Sequence, residues 1–177
     1  FKNGSYTAKS ILRQGLIYYN SDRNADALTK FKRVVSDFPK TPEALEAVST
    51  ARLIYVDGGR VAEYATWVRT LDFVAVTDAD LDNDTYESAL KQFEQNNNKQ
   101  AISGFMAYTA SFPRGIHSLP ANFYLAQAYF SEGLETKSIP NYEYVVEQTR
   151  SEFTEQSLAR LSQVLLKNND NAKAIPV

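Results

Sequence analysis

Four aspartates alternate along one short stretch, Asp78, Asp80, Asp82 and Asp84, and alternating carboxylates are how a loop collects oxygen ligands for calcium. A helix–loop–helix calcium site also needs glycine at its sixth position and glutamate at its twelfth. Counted from Asp78 those positions hold Asn83 and Ala89, and from Asp80 they hold Thr85 and Lys91. Neither frame serves, so these residues are expected in the first turn of a helix, where the dipole favours negative charge. His117 is the single histidine. It has no second histidine to share a metal and is expected at the surface of a loop. Ser118 beside it does not make a triad, which needs an oriented base and an oxyanion hole. Gly58-Gly59-Arg60 lacks the G-x-x-x-x-G-K-S/T spacing of a phosphate loop and reads as a turn. Glu87 and Glu94 share a helix face without a pocket and read as solvated. No nucleophile, base, cofactor or metal set emerges, and a non-catalytic protein is expected.

Composition narrows the class of partner. The chain has 177 residues, 44% hydrophobic and 23% charged, which is globular material. Its net charge of −2 gives no basic bias toward nucleic acid. No run approaches the length of apolar sequence that a membrane span requires. Cysteine is absent, which excludes disulfides, thiolate metal sites and thiol catalysis.

The elements that must position any functional side chain repeat. Tyr18, Tyr55 and Tyr129 fall at offsets of 37 and 74 residues, and Phe38-Pro39 recurs as Phe112-Pro113, 74 residues on. A fixed period of this size signals a stack of like units. In the first unit, Ile11, Leu12, Leu16, Ile17, Tyr18 and Tyr19 have helical spacing. Residues 20–24 are turn chemistry. Ala27, Leu28, Phe31, Val34, Val35 and Phe38 form a second apolar stripe, which Pro39 stops. The unit is an antiparallel helix hairpin. Units are expected at roughly 8–40, 41–76, 77–114, 115–151 and 152–177. Phe1 falls in register with Phe38, and Ala174-Ile175-Pro176-Val177 copies Ser138-Ile139-Pro140-Asn141 ahead of the helix at Tyr142–Val146. The copies predict that the chain is a piece of a longer array whose last helix is truncated.

Gly15, Tyr18, Ala27, Phe31 and Pro39 resemble the pattern of the tetratricopeptide repeat. Ala89, Phe93, Ala101, Phe105 and Pro113 repeat it, as do Ala126, Tyr129, Ser138, Tyr142 and Val145. Leu158, Leu161, Leu165, the Asn168–Asn171 turn and Ala174 begin a further unit. The resemblance implies an all-α, right-handed superhelix of hairpins with a period of about 37 residues. The second unit departs: strict register puts Arg52 and Tyr64 at small-residue positions. A slip of one residue, with Ala51 against Ala62 or Ala65, is expected instead, and Tyr64, Trp67, Val68 and Leu71 read as a buried helix face. Val76 replaces the stop proline, so Thr77 with Asp80 is expected to cap a long helix starting near Asp78. Thr41-Pro42, Leu119-Pro120, Ser5 and Thr154 mark further helix starts.

In tetratricopeptide-repeat proteins the inner wall comes mainly from the first helix of each unit. Carried over, that wall is Arg13, Leu16, Tyr19, Leu53, Val56, Tyr86, Leu90, Phe93, Phe123, Gln127, Phe130 and Arg160, with Gln163. It implies a groove for a peptide or helical segment of a protein partner, with some of its aromatics serving instead as packing. The lysine–asparagine clamp for terminal carboxylates would fall on Leu12, Ser49, Tyr86 and Phe123 and is absent. The long period with Phe-Pro stops is similar to tetratricopeptide proteins of the bacterial cell envelope, of Tol–Pal-associated and outer-membrane-assembly type. That likeness implies a scaffold in the periplasm or envelope. The alternative is a ligand-capturing envelope lipoprotein on the same helices, which the lack of long insertions disfavours.

Overall fold

A computed structural model describes residues 3–168, with the side chains of 6–168. Among the described residues nine helices run in order: α1 (Asn3–Tyr19), α2 (Asn24–Asp37), α3 (Pro42–Asp57), α4 (Val61–Val68), α5 (Asp78–Glu94), α6 (Asn98–Ser111), α7 (Ser118–Ser131), α8 (Glu135–Glu147) and α9 (Thr154–Lys167). No strand occurs among the described residues. The fold is all-α and built of helix hairpins, as the periodicity predicts. The chain divides after Leu81 into two compact units. The readings placed on Phe1 and on residues 169–177 lie outside the described residues.

In the first unit Asp22 takes a left-handed φ of 56° in the turn between α1 and α2, a conformation that short polar side chains tolerate. The apolar stripe of α2 is buried, with Ala27, Phe31 and Val34 wholly inaccessible. Gly15 makes the close approach possible: a Cβ there would stand 2.5 Å from a ring carbon of Phe31. α2 ends before Pro39, and Thr41 starts α3 by accepting the Ala44 N–H at 3.2 Å.

The irregular second hairpin resolves as the slipped register. Ala51 and Ala65 are buried, whereas Ala62 is exposed. Arg52 is half-exposed and its charge acts on Asp80. The expected helix face through Leu71 is corrected, because α4 stops at Val68. The Thr70 hydroxyl donates to the Trp67 carbonyl at 2.6 Å and the Leu71 N–H to the Val68 carbonyl at 3.0 Å. These i→i+3 bonds tighten the last turn and end the helix. Trp67 is therefore half-buried, and Leu71 lies beyond the helix.

α5 begins as predicted. Thr77 Oγ1 accepts the Asp80 N–H at 3.1 Å, while Asp80 Oδ2 accepts the Thr77 N–H at 2.9 Å and its hydroxyl at 2.7 Å. This is a reciprocal capping box. The Thr77 hydroxyl, then its N–H, holds the Asp80 carboxyl below its ordinary value. A depressed carboxylate contributes stability above its unfolded pKa of about 3.9, lost as pH falls through the folded value. Thr77→Ala should cost about 1 kcal/mol at neutral pH. Urea unfolding should show the gap from wild type narrowing as Asp80 protonates; a pH-independent gap would contradict the cap.

In the second unit Asn96 takes a φ of 60° in the turn joining α5 and α6, and α6 ends before Pro113. Pro120 is the third residue of α7. Pro140, read as preceding a helix, lies inside α8, which starts at Glu135. Thr154 is likewise corrected: it is the first residue of α9, not its cap. Its buried hydroxyl accepts the Ser151 N–H at 2.9 Å, fastening the preceding loop. Ser5 lies within α1 rather than ahead of it.

Candidate functional site

The wall residues are placed differently in each unit. In the first, Arg13 is exposed, Leu16, Tyr19 and Val56 are half-buried, and Leu53 is 51% exposed. The large apolar side chains this unit exposes are Tyr6 and Ile17 on α1 and Leu45 and Leu53 on α3; among the described residues α2 and α4 expose none. Tyr6 and Ile17 are eleven residues apart, and Leu45 and Leu53 eight; the first spacing returns to within about 20° of the same direction and the second to within about 80°, on one broad side of the helix.

In the second unit the structure brings some wall residues together. Phe130 of α7 lies under Arg160 of α9, with the guanidinium carbon 4.4 Å from the ring centroid. Phe93 and Phe123 both pack on Tyr124, at centroid distances of 5.2 and 5.3 Å. Leu90 is partly buried against the same core cluster as Phe93, and Gln127 is half-buried. Tyr86 and Phe123 are corrected: both are core. Phe123 is covered by Phe153 of the α8–α9 loop, 4.7 Å away, and Tyr86 by the ring of His117, stacked at 4.2 Å with planes 8° apart. Gln163 is exposed and accepts an Arg160 N–H at 3.1 Å.

His117 belongs to a polar network that residue spacing does not disclose. Tyr108 of α6 donates its hydroxyl to Asp82 Oδ1 of α5 at 2.6 Å and accepts the His117 N–H at 3.0 Å. Asp82 Oδ2 accepts the Ile116 N–H at 3.2 Å. His117 Nε2 lies 3.0 Å from Asn83 Oδ1, whose amide nitrogen donates to Glu87 at 2.8 Å. Gly115 is needed here, because a Cβ would overlap Tyr108 Oη and Asp82 Oδ2. Burial, then the bond to Asp82, pushes the Tyr108 hydroxyl well above its ordinary value, with the His117 N–H acting the other way. Burial pushes Tyr86 up to about 12. Both phenols stay protonated, and Tyr108 spends its proton on Asp82.

Residues 9–41 match the tetratricopeptide repeat. The match covers the Gly15–Phe31 approach and ends at the Thr41 cap. No curated protein matches the chain. Among solved structures it is similar to the nearly identical TPR-like repeats of a Podosopora anserina protein described as a kinesin light chain. One structure is 16% identical over 98% of this chain and 92% of that one, with a TM-score of 0.44. A second is 18% identical over 94% and 89%, with a TM-score of 0.45.

Outside the matched tetratricopeptide repeat, sequence reading missed Asp82, Tyr108, Gly115 and His117. The aspartates 78–84 divide: Asp78 and Asp80 are exposed at the helix start, whereas Asp82 and Asp84 are buried. An aspartate followed at helical distance by a buried position was the available signal, but its partners lie 26 and 34 residues away. Chemically the network fastens the 112–117 linker to α5 and α6. Among the described residues no three His, Cys, Asp or Glu side chains gather to hold a metal ion, and no helix is long and apolar enough to cross a membrane.

Proposed function

We propose that this chain is a non-catalytic interaction scaffold that holds a peptide or helical segment of a protein partner on the first-helix faces of its hairpins. The observation that carries this reading is the segregation of exposed apolar side chains in the first unit onto α1 and α3. Exposed apolar side chains gathered on the first helices offer anchors that a helical or extended ligand can cover. Arg13, Leu16, Tyr19, Leu53 and Val56 supply the wall in this unit; Leu90, Phe93, Gln127, Phe130 and Arg160 supply it in the second. The long period and Phe-Pro stops support assembly or maintenance of a bacterial cell envelope as the setting.

Replacing Leu45 and Leu53 together by serine removes the stripe on α3 without touching the core. The double variant should keep wild-type helicity and melting temperature and lose at least about tenfold in partner capture from a native extract, in line with the loss of two buried anchors. Undiminished capture by the folded variant would refute the reading.

A further inference from the structure

Three buried side-chain polar atoms lack a hydrogen-bond partner among the described residues, and they fall one on each of the last three helices: Gln127 Nε2 on α7, Tyr142 Oη on α8 and Ser157 Oγ on α9. Tyr142 and Ser157 are fully inaccessible, and buried polar groups are rarely left unsatisfied without a reason. Tyr142 stands where the earlier hairpins place Phe31 and Phe105, so its hydroxyl is an addition to a position that packing fills with phenylalanine.

Arg160 links the three. It lies one helical turn beyond Ser157 on α9, and it rests on Phe130, one turn beyond Gln127 on α7. Burial pushes the Tyr142 hydroxyl up to about 12, and the Arg160 charge opposes that push, so the guanidinium is within electrostatic reach of Oη. Among the described residues Arg160 rests on the Phe130 ring and donates to the neutral side chain of Gln163. A guanidinium with no carboxylate partner among the described residues, near an amide N–H and two hydroxyls with protons to give, complements an oxyanion.

We propose that α7, α8 and α9 form a binding site for a small oxyanion group, a carboxylate or phosphate, held by Arg160 at the half-exposed rim and by Gln127 Nε2 and the Tyr142 and Ser157 hydroxyls beneath it. Entry requires Arg160 to exchange one neutral hydrogen bond for a charge-assisted one, an exchange the stronger bond favours. The site shares Gln127 and Arg160 with the wall proposed for the second unit, but binding of phosphate or acetate is read without any protein partner, so its failure leaves the scaffold reading standing.

The test is a titration of the ¹⁵N-labelled protein with inorganic phosphate, with acetate and with a blocked tri-glutamate peptide, at constant ionic strength set with chloride. The Nε–Hε resonance of Arg160, assigned by its absence from Arg160→Gln, is followed. The proposal expects a saturable shift with at least one probe and none with chloride. Saturation by phosphate or acetate identifies a free ion as sufficient; saturation by the peptide alone places the carboxylate on a polypeptide. Ser157→Ala and Tyr142→Phe, both small changes that preserve packing, should each weaken binding about tenfold, the size of one charge-assisted hydrogen bond. A shift that never saturates, or affinities unchanged in both variants, overturns it.

Discussion

Ala101→Arg should unfold the α5–α6 hairpin. Ala101 is wholly inaccessible and packs with Tyr86, Ala89, Phe105, Tyr108 and Ala121. An arginine there must either carry an unpaired charge into an apolar cluster or force the helices apart. Burial of an uncompensated charge and overpacking together should cost more than about 4 kcal/mol. Chemical denaturation should show the second unit melting at far lower denaturant, with loss of near-ultraviolet tyrosine signal. Ala107→Arg is the control, because Ala107 sits on the exposed side of the same helix and should change stability by less than about 0.5 kcal/mol. Wild-type stability in Ala101→Arg would sink the hairpin register. Ala27→Arg asks the same of the first unit, where Ala27 is equally buried.

Tyr108→Phe should be nearly as damaging, although it removes a single oxygen. The ring contacts with Tyr86 and Phe112 remain. What is lost is the 2.6 Å bond to Asp82 and the acceptor for the His117 N–H. Asp82 keeps only the longer bond from Ile116 that the network gives it. Hydrogen bonds to charged groups are worth about 1.5–3 kcal/mol, and a stranded buried carboxylate adds its desolvation cost. A loss of about 3 kcal/mol follows, or on the order of 10 °C in melting temperature. Gly115→Ala should cost a similar amount by driving a methyl group into the same two oxygens. Hydrogen exchange should speed up at Ile116 and His117 in both variants. If the tyrosine is a ring filling space and nothing more, Tyr108→Phe will melt like wild type.

How far the sequence could be read depends on the range of the forces involved. The Thr77–Asp80 box and the Thr41-Pro42 start were legible because cap and partner are three residues apart and need no tertiary context. The apolar stripe of α2 was legible for the same reason: one helix defines its own faces. The end of α4 was not, because a threonine–carbonyl bond stopped the helix without the proline that marks the other hairpins. Tyr86 and Phe123 had the spacing of groove residues. Their burial was set by His117 and Phe153, residues of loops that fold back over them. His117 itself looked like a surface loop residue, since nothing near it in sequence could hold it. Its partners come from a different hairpin, and only the packed unit brings them within 3 Å. Candidate wall positions on α1 and α3 could be named from the pattern, but which of their apolar side chains stay in solvent required the fold.

The most direct test of the central claim, interaction through the first-helix faces, is site-specific photo-crosslinking in the native extract. Benzoylphenylalanine replaces Leu53 on α3 in one protein and Arg33 in another. Arg33 is also exposed but sits on the second helix α2. The account predicts a discrete crosslinked protein adduct from position 53 and none from position 33. Equal adducts from both positions, or adducts from position 33 alone, would contradict it.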